Sequence, residues 1–269
     1  PNPEDYGACL SRGLGEALRV VPTAEAELKP FRYKEQLQWT LCSSESGGPS
    51  FTFEFAAWAP DVFAKLRQDV LGIQLDEYRS SLSLRPLSGG KTGEGKSASL
   101  FYFSWDCKFI VKTCFPNEMP FFKKCLKDYY THLAGADRIG SCTASFLPRY
   151  VGLYSAKFEN QPVIHFVVMS NVFPPRVELQ EKYDLKGVLG KTRFVPQEEV
   201  DKGTKVLKDR NFAKRNKLAV GDGLCERIEA QIEQDVTFLR QHDRMDYSLL
   251  LGIASLNSVE EPSRIWPAA

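Results

Sequence analysis

Gly90-Lys91-Thr92-Gly93-Glu94-Gly95-Lys96-Ser97-Ala98-Ser99-Leu100-Phe101-Tyr102-Phe103 is the stretch on which the fold turns. Its first eight residues fit the nucleotide-binding pattern G-x-x-x-x-G-K-[ST] letter for letter. That pattern works only between a buried strand and a helix, because the phosphate sits on the helix N-terminus. Here Ser99 to Trp105 follows, aromatic and strand-forming in composition. Upstream, Leu82 to Leu87 is broken by Arg85-Pro86, and the later apolar run Val167-Val168-Met169 ends in Ser170-Asn171 rather than in an acidic residue. The context of a P-loop nucleotidase is missing, and that function is set aside.

A Gly-rich segment between two strands belongs to another arrangement, in which a hairpin tip covers ATP phosphates and a lysine on the next strand pairs with them. Leu100 to Trp105 and Cys107 to Cys114 read as such a hairpin, turning at Trp105-Asp106. Ile110-Val111-Lys112 supplies the lysine, although Lys112 also reads as a snorkelling lysine of an edge strand. Glu118, six residues on, can pair with it or simply favour a helix N-terminus.

Outward from there, Phe51-Thr52-Phe53-Glu54-Phe55 alternates like a half-buried strand, and Pro60 opens a helical pattern through Phe63, Leu66 and Val70. Residues 117–134 form an amphipathic helix on Met119, Phe122, Leu126, Tyr130 and Leu133, with Asn117 near its cap. Strands are expected at 150–158 and 163–169, and a helix at 222–242 with a stripe of Leu224, Ile228, Ile232, Val236 and Leu239. Residues 1–50 and 174–223 show weak periodicity. The fold class is α+β.

Hydrophobic residues are 43% and charged residues 26% of 269, ordinary for a globular protein and against bulk disorder or a collagen-like repeat. With 35 Lys+Arg against 34 Asp+Glu, global charge selects no partner, and no nucleic acid partner is expected. Local charge is different. Between Lys202 and Lys217 stand seven basic residues and one acid, Asp209. Seven cysteines without a C-x-x-C pair predict a reducing compartment and neither a disulfide framework nor a zinc module. No run approaches a membrane span, and a start at Pro1 predicts a piece of a longer chain.

Phe166 to Phe173, Tyr183-Asp184-Leu185-Lys186-Gly187, Leu207 to Phe212 and Arg244-Met245-Asp246-Tyr247-Ser248-Leu249-Leu250-Leu251-Gly252-Ile253 follow Ser88-Gly89-Gly90-Lys91 and Ile110-Val111-Lys112 in that order. The set resembles the phosphatidylinositol phosphate kinase family over roughly residues 51–255, and D-L-K-G and M-D-Y-S-L-L-x-G-I are specific to it. The resemblance implies a two-lobed, kinase-like fold with an antiparallel sheet in the N-lobe and a truncated C-lobe. Residues 1–50 would be a partly flexible extension, 51–170 the N-lobe with Gly-rich loop, lysine strand and helix, and 171–269 the hinge and partial C-lobe.

It further implies transfer of the γ-phosphoryl of Mg²⁺·ATP to an inositol hydroxyl of a membrane lipid, most readily phosphatidylinositol 4-phosphate at its 5-hydroxyl. Gly95, Lys96 and Ser97 would cover the phosphates, Lys112 would bind them with Glu118 as its partner, and Asn171 and Val172 would form the hinge. Asp184 and Lys186 would lie at the active site, and Asp246 would orient or deprotonate the hydroxyl, unless it only caps a helix or pairs with Arg244. No residue is assigned as a metal ligand. The basic stretch 202–217 would face anionic lipid on a cytosolic membrane surface, with the plasma membrane favoured, and there is room for a dimer.

The pattern is not followed everywhere. Ala98 stands where the family has Gly, so Gly90-Lys91-Thr92-Gly93 is a second register for the loop. Val188-Leu189 replace Ser-Thr after D-L-K-G, with Lys191 and Arg193 in place of the next basic residue. The later I-I-D segment and the lipid-selecting activation loop do not follow Ile253, which predicts poor catalysis by this chain. A catalytically impaired phosphoinositide-binding scaffold is the alternative function.

Overall fold

The computed structural model describes residues 6–20, 36–43, 51–92, 99–139, 142–173, 175, 177–202, 206–215, 218 and 222–255. Its contacts divide the chain into two compact units, Pro1–Val172 and Phe173–Ala269.

In the first unit the elements run α1 (Tyr6–Val20), β1 (Gln36–Ser43), β2 (Phe51–Trp58), α2 (Pro60–Lys65), α3 (Leu75–Ser83), β3 (Ser88–Thr92), β4 (Leu100–Phe103), β5 (Phe109–Cys114), α4 (Met119–Gly135), β6 (Arg138–Ile139), β7 (Cys142–Thr143), β8 (Tyr150–Phe158) and β9 (Ile164–Ser170). Seven strands make one sheet in the order β1-β2-β8-β9-β5-β4-β3. Every neighbouring pair is antiparallel. A strand, β4, thus follows the Gly-rich segment, as its composition predicts.

Alternation sets the two faces of this sheet. Phe53 and Phe55 of β2, Tyr154 and Phe158 of β8 and Phe166 of β9 are buried together. Phe53 stacks on Phe158 at 5.2 Å and Tyr154 on Phe166 at 5.6 Å. In β5 the alternation buries Phe109 and Val111, so Ile110 and Lys112 point to the other side of the sheet from them.

The sequence reading leaves 1–50 outside the N-terminal unit, but α1 and β1 are part of it. Cys9, Leu10, Leu14, Ala17 and Leu18 of α1 are buried. Leu10, Leu14 and Leu18 recur at a spacing of four on its buried side, a stripe that a reading of residues 1–50 as weakly periodic passes over. A Cβ on Gly13 would lie 2.2 Å from the Phe55 ring.

At α4 the boundary shifts by one residue: Glu118, not Asn117, precedes the first turn. Its carboxylate accepts the Phe115 N–H at 2.7 Å.

The second unit continues with β10 (Glu181–Leu185), α5 (Gln197–Asp201), β11 (Leu207–Lys208), α6 (Asp209–Phe212), α7 (Asp222–Gln241) and β12 (Leu249–Ile253). Three strands pair in the order β11-β10-β12. The β10–β12 register aligns Asp184 with Leu250 and Leu185 with Leu249. Tyr183 is buried and meets the Phe212 ring edge-on at 5.1 Å.

Helix α7 forms where the periodicity places it, yet its buried row is Gln231, Asp235 and Phe238 while Leu224 is exposed. Gln231 Nε2 donates to Asp235 Oδ1 at 3.0 Å, which lets two polar side chains occupy positions an apolar stripe would claim. The chain is therefore mixed α+β, with a large antiparallel sheet and helices. Among the described residues no helix is long and apolar enough to cross a membrane.

Candidate functional site

In the first unit, β5 carries Lys112 between Phe101 of β4 and Val167 of β9. Its ammonium lies 3.7 Å from Glu118 Oε1, both side chains partly exposed. The bond from Phe115 N–H to the other oxygen of Glu118 fixes that carboxylate at the mouth of α4. The two residues singled out in the sequence do meet. A half-exposed pair of this kind adds little stability, but it aims a cation.

Between β3 and β4 the ladder slips at Gly89 and Lys91. Gly89 has φ +119 and a Cβ there would be 2.5 Å from Phe101 O, so glycine is required. Of the second loop register, Gly90, Lys91 and Thr92 fall on strand β3 itself and Gly93 lies outside the described residues. Gly95, Lys96 and Ser97 lie outside the described residues.

Asn171 follows β9 and closes on the β4–β5 turn. Its N–H donates to Lys108 O at 2.8 Å and its Nδ2 to Cys107 O at 2.9 Å. Val172 beside it is 62% exposed. Asp106 organises the same turn by accepting from Ser81, Ser104 and the Lys108 N–H. Burial would push its carboxyl up, but those donors hold it below the ordinary value.

In the second unit, Lys186 leaves β10 with its ammonium 3.4 Å from Asp246 Oδ1. Sixty residues of chain separate the two, and the lysine is held from below. Asp209 Oδ1 accepts the backbone N–H groups of Lys186 and Gly187, both at 2.8 Å. Arg193 Nε donates to Asp209 Oδ2 at 2.7 Å. Burial acts to raise the Asp209 carboxyl, yet Arg193 and the backbone donors bring it below the usual carboxylate range. Asp246 sits in the left-handed region at φ 59, a conformation Asp tolerates and one that marks functional turns. Arg244 Nε donates to His242 O.

Asp184 is not paired with Lys186. Its backbone oxygen accepts from Arg193, and its Oδ1 lies 3.6 Å from Arg193 Nη2, buried and without a hydrogen bond. Asp209 and Arg193 are the positioning residues that sequence reasoning does not assign. A signal is present, since Asp209 is the one acid among seven bases between Lys202 and Lys217.

The basic stretch itself is divided. Arg215 forms an ion pair with Glu181 at 3.0 Å, and that bond, with the one from Tyr183, lowers the Glu181 carboxyl. Burial and Glu181 in turn push the Tyr183 hydroxyl up to about 12. Lys202 pairs with Glu199 at 3.0 Å. Arg210 and Lys214 lie over the Phe194 ring at 5.3 and 4.3 Å. Lys205 and Lys217 are outside the described residues.

Residues 84–265 match the family model described as phosphatidylinositol-4-phosphate 5-kinase. The chain belongs to the phosphatidylinositol phosphate kinase family. It is 35% identical to a probable phosphatidylinositol phosphate kinase of Dictyostelium discoideum, over 81% of this chain and 31% of that one. Mouse (Mus musculus) phosphatidylinositol 4-phosphate 5-kinase type-1 alpha is 34% identical over 78% of this chain and 37% of its own. Phosphatidylinositol 5-phosphate 4-kinase type-2 gamma of Danio rerio is 34% identical over 75% and 46%. The chain thus spans about a third to a half of the length of these phosphatidylinositol phosphate kinases. Among its described residues no three Asp, Glu, His or Cys side chains gather as a metal cluster.

Proposed function

We propose that the protein transfers the γ-phosphoryl of ATP to an inositol hydroxyl of a phosphatidylinositol phosphate, with phosphatidylinositol 4-phosphate as the favoured substrate. Lys186 and Asp246 carry the proposal. A lysine and a carboxylate stand 3.4 Å apart on segments sixty residues distant, and a buried acid grips the lysine's own backbone.

Phosphoryl transfer asks a protein for positioning and for positive charge on developing oxyanions. In the first unit Lys112, aimed by Glu118, would bind nucleotide phosphate together with Gly95, Lys96 and Ser97, with Asn171 and Val172 beside the adenine. In the second, Lys186 would neutralise the transferring group. Asp246, 94% exposed in its side chain, is open to an incoming hydroxyl. It would orient that hydroxyl and take its proton as the new O–P bond forms and the bond from the γ-phosphorus to the bridging oxygen breaks, releasing ADP.

The divalent ion that accompanies ATP needs one or two carboxylates beside the phosphates. Asp184 Oδ1, buried without a hydrogen bond, and Asp246 fit that need and would hold it. When bound, the ion supplies further neutralisation of phosphate charge. The protein would act at the cytosolic face of a membrane, where the substrate resides.

One observation favours a binding-only alternative: Asp184, one of those two carboxylates, already lies 3.6 Å from the Arg193 guanidinium. Incubation with labelled ATP and vesicles containing phosphatidylinositol 4-phosphate or 5-phosphate decides between them. Label on the 4-phosphate lipid, lost in Asp246→Asn, is the expected result. No transfer above that control, with vesicle binding intact, overturns the kinase in favour of the scaffold.

A further inference from the structure

Val188 and Leu189, which follow Lys186-Gly187, are 51% and 68% exposed. A single exposed aliphatic residue is ordinary. Two in succession on a loop this firmly tied are not. Asp209 holds the loop at Lys186 and Gly187. The Arg193 N–H donates to Gly190 O at 3.0 Å, closing a turn beyond Leu189. Asn211 bonds both the N–H and the C=O of Val195, at 2.9 and 2.8 Å. Lys208 Nζ donates to Thr192 O at 3.5 Å. With both ends anchored, the tip keeps its apolar side chains in water.

The charge carried by the loop itself has one sign. From Leu185 to Gln197 there is no Asp or Glu, and Lys191 is exposed next to the apolar pair. Arg210 and Lys214 stack on Phe194 of the same loop, contacts of a cation with a ring rather than with an acid. A narrow aliphatic tip with a cationic rim complements the boundary of an anionic bilayer, where acyl chains take the aliphatic groups and headgroups meet the bases. Two side chains are too few for a stable protein interface.

We propose that Val188 and Leu189 form a wedge that enters the headgroup boundary of an anionic bilayer, with Lys191, Arg210 and Lys214 on the headgroups. The proposal deepens and rests on the lipid-kinase reading, since it docks the unit that carries Lys186 on the surface holding its substrate. It does not require catalysis.

The test uses vesicles of phosphatidylcholine with phosphatidylserine, plain or carrying brominated acyl chains. Leu189→Trp should give fluorescence quenched by brominated lipid beyond the background of the native tryptophans. Val188→Ser with Leu189→Thr should weaken vesicle sedimentation about tenfold, the scale of removing aliphatic area from an apolar boundary, and the loss should persist at high salt. Lys191→Glu should weaken it at low salt only.

Equal quenching in wild type and Leu189→Trp, or undiminished sedimentation of the double variant, overturns the wedge. So does a fluorescence blue shift of Leu189→Trp without vesicles that grows with protein concentration, which would mean that a second copy covers the tip. Transfer to a short-chain, water-soluble phosphatidylinositol 4-phosphate separates the two proposals. It should survive in the double variant. Its absence in wild type, alongside bromine quenching, removes the kinase and leaves the wedge.

Discussion

Arg193 and Asp209 form a nearly sequestered ion pair, Nε to Oδ2 at 2.7 Å, while the other oxygen of Asp209 receives the N–H groups of Lys186 and Gly187. The acid joins the start of α6 to the exit of β10, and the position of the Lys186 ammonium depends on it. Asp209→Asn keeps the shape but leaves Arg193 facing an uncharged amide. Breaking a buried pair costs about 3–5 kcal/mol. The low end is expected, because Arg193 still donates to Asp184 O. Chemical denaturation should show that loss, and kcat should fall more than KM rises. An unchanged denaturation midpoint would remove Asp209 from this role.

Acid stability follows from the same pair. Asp209 and Glu181 both have carboxyls lowered in the folded state. A depressed folded pKa contributes stability that is complete above the unfolded value, about 4 for these side chains, and is lost as pH falls through the folded value. The denaturation midpoint should therefore be level from pH 7 to 5 on account of these groups and drop below about pH 4. Asp209→Asn should flatten that drop. A midpoint falling already between about pH 7 and 5 by the same amount in both proteins would assign the acid sensitivity elsewhere.

Gly13 tests the close approach of α1 to the sheet. Gly→Ala inside a helix ordinarily gains about 1 kcal/mol. Here a Cβ would sit 2.2 Å from the buried Phe55 ring, and overpacking costs about 1–3 kcal/mol. The clash should win, so Gly13→Ala should lower Tm. Gly135→Ala, where a Cβ meets nothing within 4 Å, should not. Equal effects of the two substitutions would contradict the packing described for α1.

What the sequence discloses follows from strong local signals. The hairpin at Trp105-Asp106, the helix from Met119 and the strands at 150–158 and 164–170 alternate or repeat clearly enough to be read. Helix α1 does carry a stripe, Leu10, Leu14 and Leu18, but Gly7, Gly13 and Gly15 lower the helix propensity of the same stretch and mask it. On α7 the buried row contains Gln231 and Asp235, whose mutual bond is a tertiary fact invisible to a hydrophobicity pattern. Lys112 with Glu118, and Lys186 with Asp246, can be named from residue type and resemblance. Arg193 and Asp209 cannot be given a role that way, since their importance lies in which backbone they hold.

Lys112 gives the last prediction. It stands on the side of β5 opposite the buried Val111, its ammonium aimed by Glu118 at 3.7 Å, with 24% of its side chain exposed. Replacing it with Met keeps most of the stem's packing and removes the charge, so intrinsic stability should change by about 0.5 kcal/mol or less. Nucleotide linkage should change far more. A ligand at about a hundred times its Kd stabilises the folded state by about 2.7 kcal/mol, which in a chain of this size is a rise of several degrees in Tm at about 2–4 °C per kcal/mol. Thermal shift with Mg²⁺ and ATP should show that rise in the wild type and lose it in Lys112→Met. Glu118→Gln should retain part of it, because the lysine keeps its charge and loses only its guide. An undiminished ATP-dependent shift in Lys112→Met would mean that β5 does not meet the phosphates, and Lys112 would revert to a lysine whose stem merely covers the sheet.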